Sequence, residues 1–389
     1  MEYFYKTYEE CRNRFRNVAN ELSSNYNNAR VGKIKVDSMI DPDLTVDWLY
    51  IPAQQQPRKL LVLTSGLHGI EGFTGSAIQL MFIDRILSRL SLEELGVVFI
   101  HGLNPYGFKY FRKVTENNVD LNRNCVINPR LYQSINAGYS KMSNLLIPKG
   151  ELSIDKLQYR FFHLNAIYKI IKESLPILRQ AALQGQYEYE RGIYYGGKRL
   201  EPQLAALEPL LRTLFEDYQS ILSVDLHTGY GKRGKMHLFL NPINDEKVLA
   251  GLDYVLDGEK INWGSDADFY TINGEYLEWM GQLANEKLCI PIRFEYGTLD
   301  SQKTLGALKS IQIMISENQG AQFGFKDQKS KDRVMQDFLD MYYPSTVAWR
   351  SKVLTDSSIK MSKIMNRFLE YEVAGADQRK AIASITTQK

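Results

Sequence analysis

Apolar and polar residues alternate over residues 33–51, with Ile34, Val36, Leu44, Val46, Trp48 and Tyr50 on the apolar beat. A period of two suits strands with one covered face, so this segment predicts two paired edge strands. Unbroken β-favouring runs follow at 60–65 and 96–101, and further strands are predicted at 221–226, 236–240 and 287–294. Runs of this kind suit strands buried on both faces, as in a parallel sheet. Leu, Ile and Phe recur at three- and four-residue intervals in other segments. That spacing predicts helices within the first thirty residues and over 74–90, 151–182, 200–220 and 301–317. From about residue 325 the periodicity fades, leaving one helix near 356–372 and a polar, disorder-prone end at 381–389. Alternation of strand and helix predicts an α/β fold with a mixed, mainly parallel twisted sheet flanked by helices. No repeat divides the chain. We expect one catalytic domain over 1–325 and a C-terminal helical extension over 326–389.

Composition narrows the function classes. Of 389 residues, 44% are hydrophobic and 24% charged, which is the balance of an ordinary globular protein and not of a disordered chain. A net charge of +3 is too small to predict binding to nucleic acid or to an acidic membrane surface. No apolar run reaches membrane-spanning length. Cys11, Cys125 and Cys289 share no metal-ligand or disulfide spacing, which fits a reducing compartment. The first residues lack the basic start and apolar run of a signal peptide, so the expectation is a cytoplasmic location without membrane partners. Oligomeric state is not readable from these features.

Candidate chemistry sits at two strand ends. His68-Gly-Ile-Glu71 follows the run at 60–65, and Asp225-Leu-His227 ends the run that starts at 221. Open α/β sheets collect their ligands at the carboxyl ends of strands. His68 and Glu71 stand three apart across a glycine, so one tight turn can aim both at a single point, with His227 as the third donor. Two His and one Glu, with a fourth position left to water, is the ligand set of a catalytic zinc. Asp225 lies two residues before His227 and shares its strand face; support for the histidine and an ordinary sheet-edge carboxylate both remain open. His101, His163 and His237 lack ligand partners at useful spacing and read as structural.

Two further motifs complete an ordered set: Asn118-Val-Asp-Leu-Asn-Arg-Asn124 between the proposed metal elements, and Phe294-Glu-Tyr-Gly297 after them. With these four pieces the chain resembles the zinc carboxypeptidases, and in particular a bacterial branch whose members mostly lack an assigned substrate. The resemblance runs from the N-terminal helix to Gly297. It implies Zn²⁺ held by His68, Glu71 and His227, with Asp120 accepting the free N–H of His68. Asn122 and Arg123 would bind the terminal carboxylate of a substrate, and Glu295 would be the general base. The family also has a mobile tyrosine, a glycine and a pocket-lining residue, which fall on Tyr270, Gly274 and Leu277. Its oxyanion-stabilising arginine falls on Lys113, with Arg112 adjacent, so either cation could take that role. Cys125 stands where an aromatic residue is usual.

The implied activity is zinc-dependent removal of a C-terminal amino acid from a peptide. The same logic serves an amidohydrolase acting on small N-acyl amino acids. A catalytically dead peptide-binding protein on this scaffold would be expected to have lost a ligand or the base, and neither is missing from the sequence.

Overall fold

Among the described residues, eight strands form one sheet in the order β1-β2-β4-β3-β5-β8-β6-β7. They are β1 Arg30–Lys35, β2 Thr45–Ile51, β3 Lys59–Ser65, β4 Leu95–His101, β5 Ser220–Thr228, β6 Met236–Leu240, β7 Ile261–Trp263 and β8 Leu288–Tyr296. The computed structural model describes residues 3–173, 180, 183–264 and 271–372. The four central strands β4, β3, β5 and β8 run parallel, with β2 antiparallel to β4 on one side and β6 antiparallel to β8 on the other. Every residue of the four is buried, as unbroken apolar runs require when helices cover both faces.

Helices Tyr8–Asn25, Gly72–Arg85, Glu246–Leu256 and Val347–Glu370 pack into one layer, and Pro202–Glu216 with Tyr276–Ala284 into another. The mixed α/β sheet predicted from the sequence is therefore present. One strand differs in position. The alternation over 33–51 predicts two edge strands, but β2 lies between β1 and β4, so of these two only β1 is an edge. The polar beat of β2 is covered by the N-terminal helix. Arg16 donates to Asp47 at 2.7 Å and to Thr45 Oγ1 at 2.8 Å, and the Tyr8 hydroxyl donates to the Thr45 carbonyl at 2.9 Å. Polar positions on a strand can thus mark a buried, hydrogen-bonded face as readily as a wet one.

Beyond residue 325 the chain forms two long helices, Gln328–Tyr342 and Val347–Glu370, where the sequence pattern predicts one. The first carries Val334, Phe338, Met341 and Tyr342 as a buried stripe among charged neighbours, so its average polarity hides its periodicity. The second puts Trp349, Val353, Met361 and Phe368 into the main core. The helix predicted over 151–182 is observed as Leu157–Arg160 and Phe162–Glu173, and 174–179 and 181–182 lie outside the described residues, as does the polar end at 381–389. Among the described residues no helix is long and apolar enough to cross a membrane. A second, smaller core joins Ile70, Tyr139, Phe162, Met314, Phe338 and Tyr342 beside the ligand-bearing turn.

That turn depends on Gly69. A Cβ there would overlap the carbonyl carbon of Gly107 and the amide nitrogen of Phe108, both backbone atoms that cannot swing aside. Gly69→Ala should therefore lower unfolding stability by about 1–3 kcal/mol, the usual range for an overpacked core position. Denaturant unfolding of the purified variant checks this; an unchanged midpoint would show that the turn and the Gly107 backbone do not abut.

Candidate metal centre

β3 ends at Ser65, and Gly66, at φ +72°, reverses the chain out of the sheet. His68 then caps the 3₁₀ turn Gly69–Glu71, which runs directly into helix Gly72–Arg85. The turn is tied to a neighbouring strap: Gly69 N–H donates to the Lys113 carbonyl at 3.2 Å and Ile70 N–H to that of Arg112 at 2.9 Å. His227 lies next to the last residue of β5 and stands opposite Glu295 in the parallel register with β8. Two adjacent strands and one turn thus bring four side chains to the same sheet edge.

The donors of His68, Glu71 and His227 all lie within 4.8 Å of one another, and all three residues are buried. His68 Nδ1 is 2.8 Å from Glu71 Oε1, and His227 Nδ1 is 2.9 Å from Glu71 Oε2 and 3.2 Å from His68 Nδ1. Each imidazole is held from behind by an acid: His68 Nε2 is 3.2 Å from Asp120 Oδ1, and His227 Nε2 is 2.5 Å from Asp225 Oδ2. Of the two readings open for Asp225, its place is behind His227. Two ring nitrogens and a carboxylate converging in front, with carboxylates on the far ring nitrogens, is a donor set that fits a divalent cation.

The electrostatics agree. Burial would favour neutral His227, yet the Asp225 and Glu71 carboxylates outweigh it and raise its pKa to about 10. Burial likewise raises Glu71, but the two histidines beside it bring it down to about 2. The site therefore already stabilises positive charge at the point where the donors meet. Glu295 behaves oppositely. Burial, aided by the negative Glu71, raises it to about 7, although the Tyr230 N–H donates to it at 3.0 Å. A carboxylate poised near neutrality can accept a proton in one step and return it in the next.

The adjacent cations divide. Lys113 enters the site, with Nζ 2.8 Å from His68 Nε2 and 2.5 Å from Asp120 Oδ2. Arg112 turns the other way, donating to Glu317 at 2.6 Å and to Asn118 and Asn318. Asp120 is held well below the usual carboxylate range: burial opposes this, but Arg123, Lys113 and His68 overcome it. Arg123 donates to Asp120 at 3.2 Å and to the Leu183 carbonyl at 2.6 Å, and Asn122 accepts the Tyr276 N–H at 3.1 Å.

His68, Glu71, His227, Lys113, Asn122, Arg123 and Glu295 all line one cavity. Arg112 and Leu277 do not line it. Leu277 belongs instead to the main core, because the helix Tyr276–Ala284 starts one residue earlier and turns it inward. Tyr270 lies outside the described residues. Cys125 is buried, and burial pushes its thiol well above the ordinary range, which disfavours the thiolate.

Sequence reasoning overlooked Arg293, which also lines the cavity and pairs with buried Glu275. Its signal was available, since it precedes Glu295 by two on β8 and so shares its face. It also overlooked Tyr194, whose ring lies 4.7 Å from the Arg123 guanidinium and 5.3 Å from Lys113 Nζ. No local pattern announces that long-range contact.

Among solved structures, the chain resembles thrombin activatable fibrinolysis inhibitor with a TM-score of 0.50 and 11% identity, covering 95% of this chain and 75% of that one. The carboxypeptidase A of Helicoverpa armigera aligns over 92% of this chain and 74% of its own, at a TM-score of 0.39 and 13% identity. A succinylglutamate desuccinylase from Silicibacter sp. TM1040 aligns over 76% and 67%, at 0.37 and 12%. No match is found among curated proteins. At 11% identity the first of these likenesses, with its TM-score of 0.50, speaks for the fold alone, and that fold is a carboxypeptidase-like α/β fold. Residues 4–356 match the family described as protein of unknown function (DUF2817), and the chain belongs to that family.

Proposed function

We propose that this protein is a zinc metallohydrolase that releases an amino acid from an amide whose amine half carries a free carboxylate, in the manner of a carboxypeptidase. The observation that carries the reading is the register of β5 against β8, which sets Glu295 opposite His227 at the edge where the three metal donors converge. His68, Glu71 and His227 would hold Zn²⁺, which when bound supplies Lewis acidity to the scissile carbonyl. Glu295 takes a proton from the attacking water as its oxygen bonds to the carbonyl carbon. It then delivers that proton to the nitrogen as the C–N bond breaks, giving a carboxylate and a free amine. Asn122 and Arg123 orient the substrate through its carboxylate. Of the two cations expected to face the oxyanion, Lys113 takes the role, because it lines the cavity and Arg112 does not.

A second reading, deacylation of N-acyl amino acids, is favoured by the helices Ala137–Leu146, Phe162–Glu173 and Thr304–Phe323. These wall the cavity and suit a compact substrate better than a long peptide. Both readings share the attacked amide and the carboxylate anchor. The same cavity is also lined by Phe239, Ile272 and Arg293. An apolar or aromatic terminal side chain suits that surface better than Lys or Arg, which would meet the positive Arg293.

Elemental analysis of protein purified without chelator should find one zinc per chain, and a combined His68→Ala and His227→Ala variant should lose it; equal zinc in both proteins places the metal elsewhere. Glu295→Gln should keep fold and zinc while kcat falls by roughly 10²–10⁴-fold, the usual contribution of a positioned general base. Residual turnover within a few-fold of wild type would remove Glu295 from the mechanism. Amidating the substrate carboxylate should lower kcat/KM by about ten- to a hundredfold, equivalent to about 1.5–3 kcal/mol for one charge-assisted contact. Matched substrates ending in Phe, with free and amidated termini, measure this, and equal rates rule out the anchor.

A further inference from the structure

The cavity that holds the metal donors has two ends of opposite chemistry. Its charged residues come from the ligand turn, the 112–123 strap and the strands β5 and β8. The other end is built by the helices of the second core, which contribute Leu145, Phe162, Leu308, Ile311 and Met314 and no charged side chain. The Tyr342 hydroxyl at that end donates to Met314 Sδ at 2.9 Å. We propose that this end takes the acyl half of the substrate as an extended aliphatic chain, so that the protein hydrolyses medium-chain N-acyl amino acids. The inference rests on the metallohydrolase reading and names its substrate class.

The argument is one of solvation. A peptide running upstream from the scissile amide carries an N–H and a carbonyl at every residue, and burying these without partners is costly. These helix side chains offer almost nothing to hydrogen-bond them, and the Ser310 hydroxyl, which also lines the cavity, already donates to the Gly306 carbonyl. An alkyl chain loses nothing there and gains about fourfold in affinity for each methylene withdrawn from water. Sites that recognise small molecules have this composition, with apolar walls and a few convergent polar groups that fix orientation. Length is set by a partition. Leu145 and Phe162 line the metal cavity and also a second hollow, whose walls include Leu152, Tyr159 and Ile315. Both side chains therefore stand between the apolar end and a second hollow of mixed lining, which also carries Asn144, Lys156, Gln312 and Gln319.

The test uses the zinc-loaded full chain and N-acetyl-, N-octanoyl- and N-lauroyl-L-phenylalanine, with an N-acetylated tripeptide ending in Phe. Octanoyl-phenylalanine should exceed the acetyl substrate at least about tenfold in kcat/KM, and should also exceed the tripeptide. Ala307→Trp, at a half-buried lining position, should bring the octanoyl-to-acetyl ratio close to one. Phe162→Ala should join the two hollows and move the optimum toward lauroyl. A flat response to acyl length, or a faster tripeptide, overturns the inference and leaves the metallohydrolase reading standing. Calorimetric binding to Glu295→Gln separates the two claims further. Octanoyl-phenylalanine bound at least tenfold more tightly than acetyl-phenylalanine, with no turnover of either by wild type, upholds the apolar subsite and overturns the hydrolase reading.

Discussion

Asp120 accepts hydrogen bonds at both oxygens from four directions, and the arrangement of the site follows from where that carboxylate sits. Oδ1 receives the Asn122 N–H at 3.0 Å and faces His68 Nε2, while Oδ2 takes Lys113 and Arg123. One buried acid thereby couples a metal donor, the cation nearest to it and the proposed substrate anchor. A lone carboxylate at zero exposure would be costly, and two cations and an imidazole supply what bulk water would have provided. Moving any one of these partners alters the field at the others. The geometry of the candidate metal donors and that of the proposed anchor are for that reason one structural property and not two.

The same economy recurs around the cavity. Arg112 is matched by Glu317, Arg293 by Glu275, and His227 by Asp225, each pair buried. Removing one member of such a pair is far more damaging than the pair itself is stabilising, since the survivor keeps its desolvation cost without its partner. The pairs are better understood as devices for orientation than as sources of stability. They hold planar groups at set angles around the site, where the backbone alone would leave side chains free to rotate.

How much of this was legible in the sequence depended on the range of the signal. The central strands announced themselves because burial on both faces makes an unbroken apolar run. His68 and Glu71 were visible because one short turn holds both. Asp120, Asn122, Arg123 and Glu295 needed the order of motifs along the chain, since nothing within a few residues distinguishes Glu295 from any strand carboxylate. The choice between Arg112 and Lys113 was invisible. The two neighbours on the strap reach different partners, Arg112 bonding Glu317 and Lys113 bonding Asp120, and the bonds from Gly69 and Ile70 to their carbonyls tie that strap to the turn. Leu277 was misplaced by a similar margin, because the onset of a helix decides which way a residue turns. The buried stripe on Gln328–Tyr342 was missed because charged residues surround it and its partners lie far away in sequence.

That last helix reaches into the site. The Tyr342 carbonyl accepts the Thr228 hydroxyl at 2.6 Å, one residue beyond His227, and the Met341 carbonyl accepts that of Thr298. Both residues also form part of the cavity wall. During synthesis the turn bearing His68 and Glu71 leaves the ribosome long before this helix exists. The donors can converge once β5 has paired with β3, yet the cavity around them is not closed until residues 341 and 342 dock. An unfinished chain would therefore present its metal donors beside an open apolar surface, and the apolar end of the cavity is the last part of the site to be made.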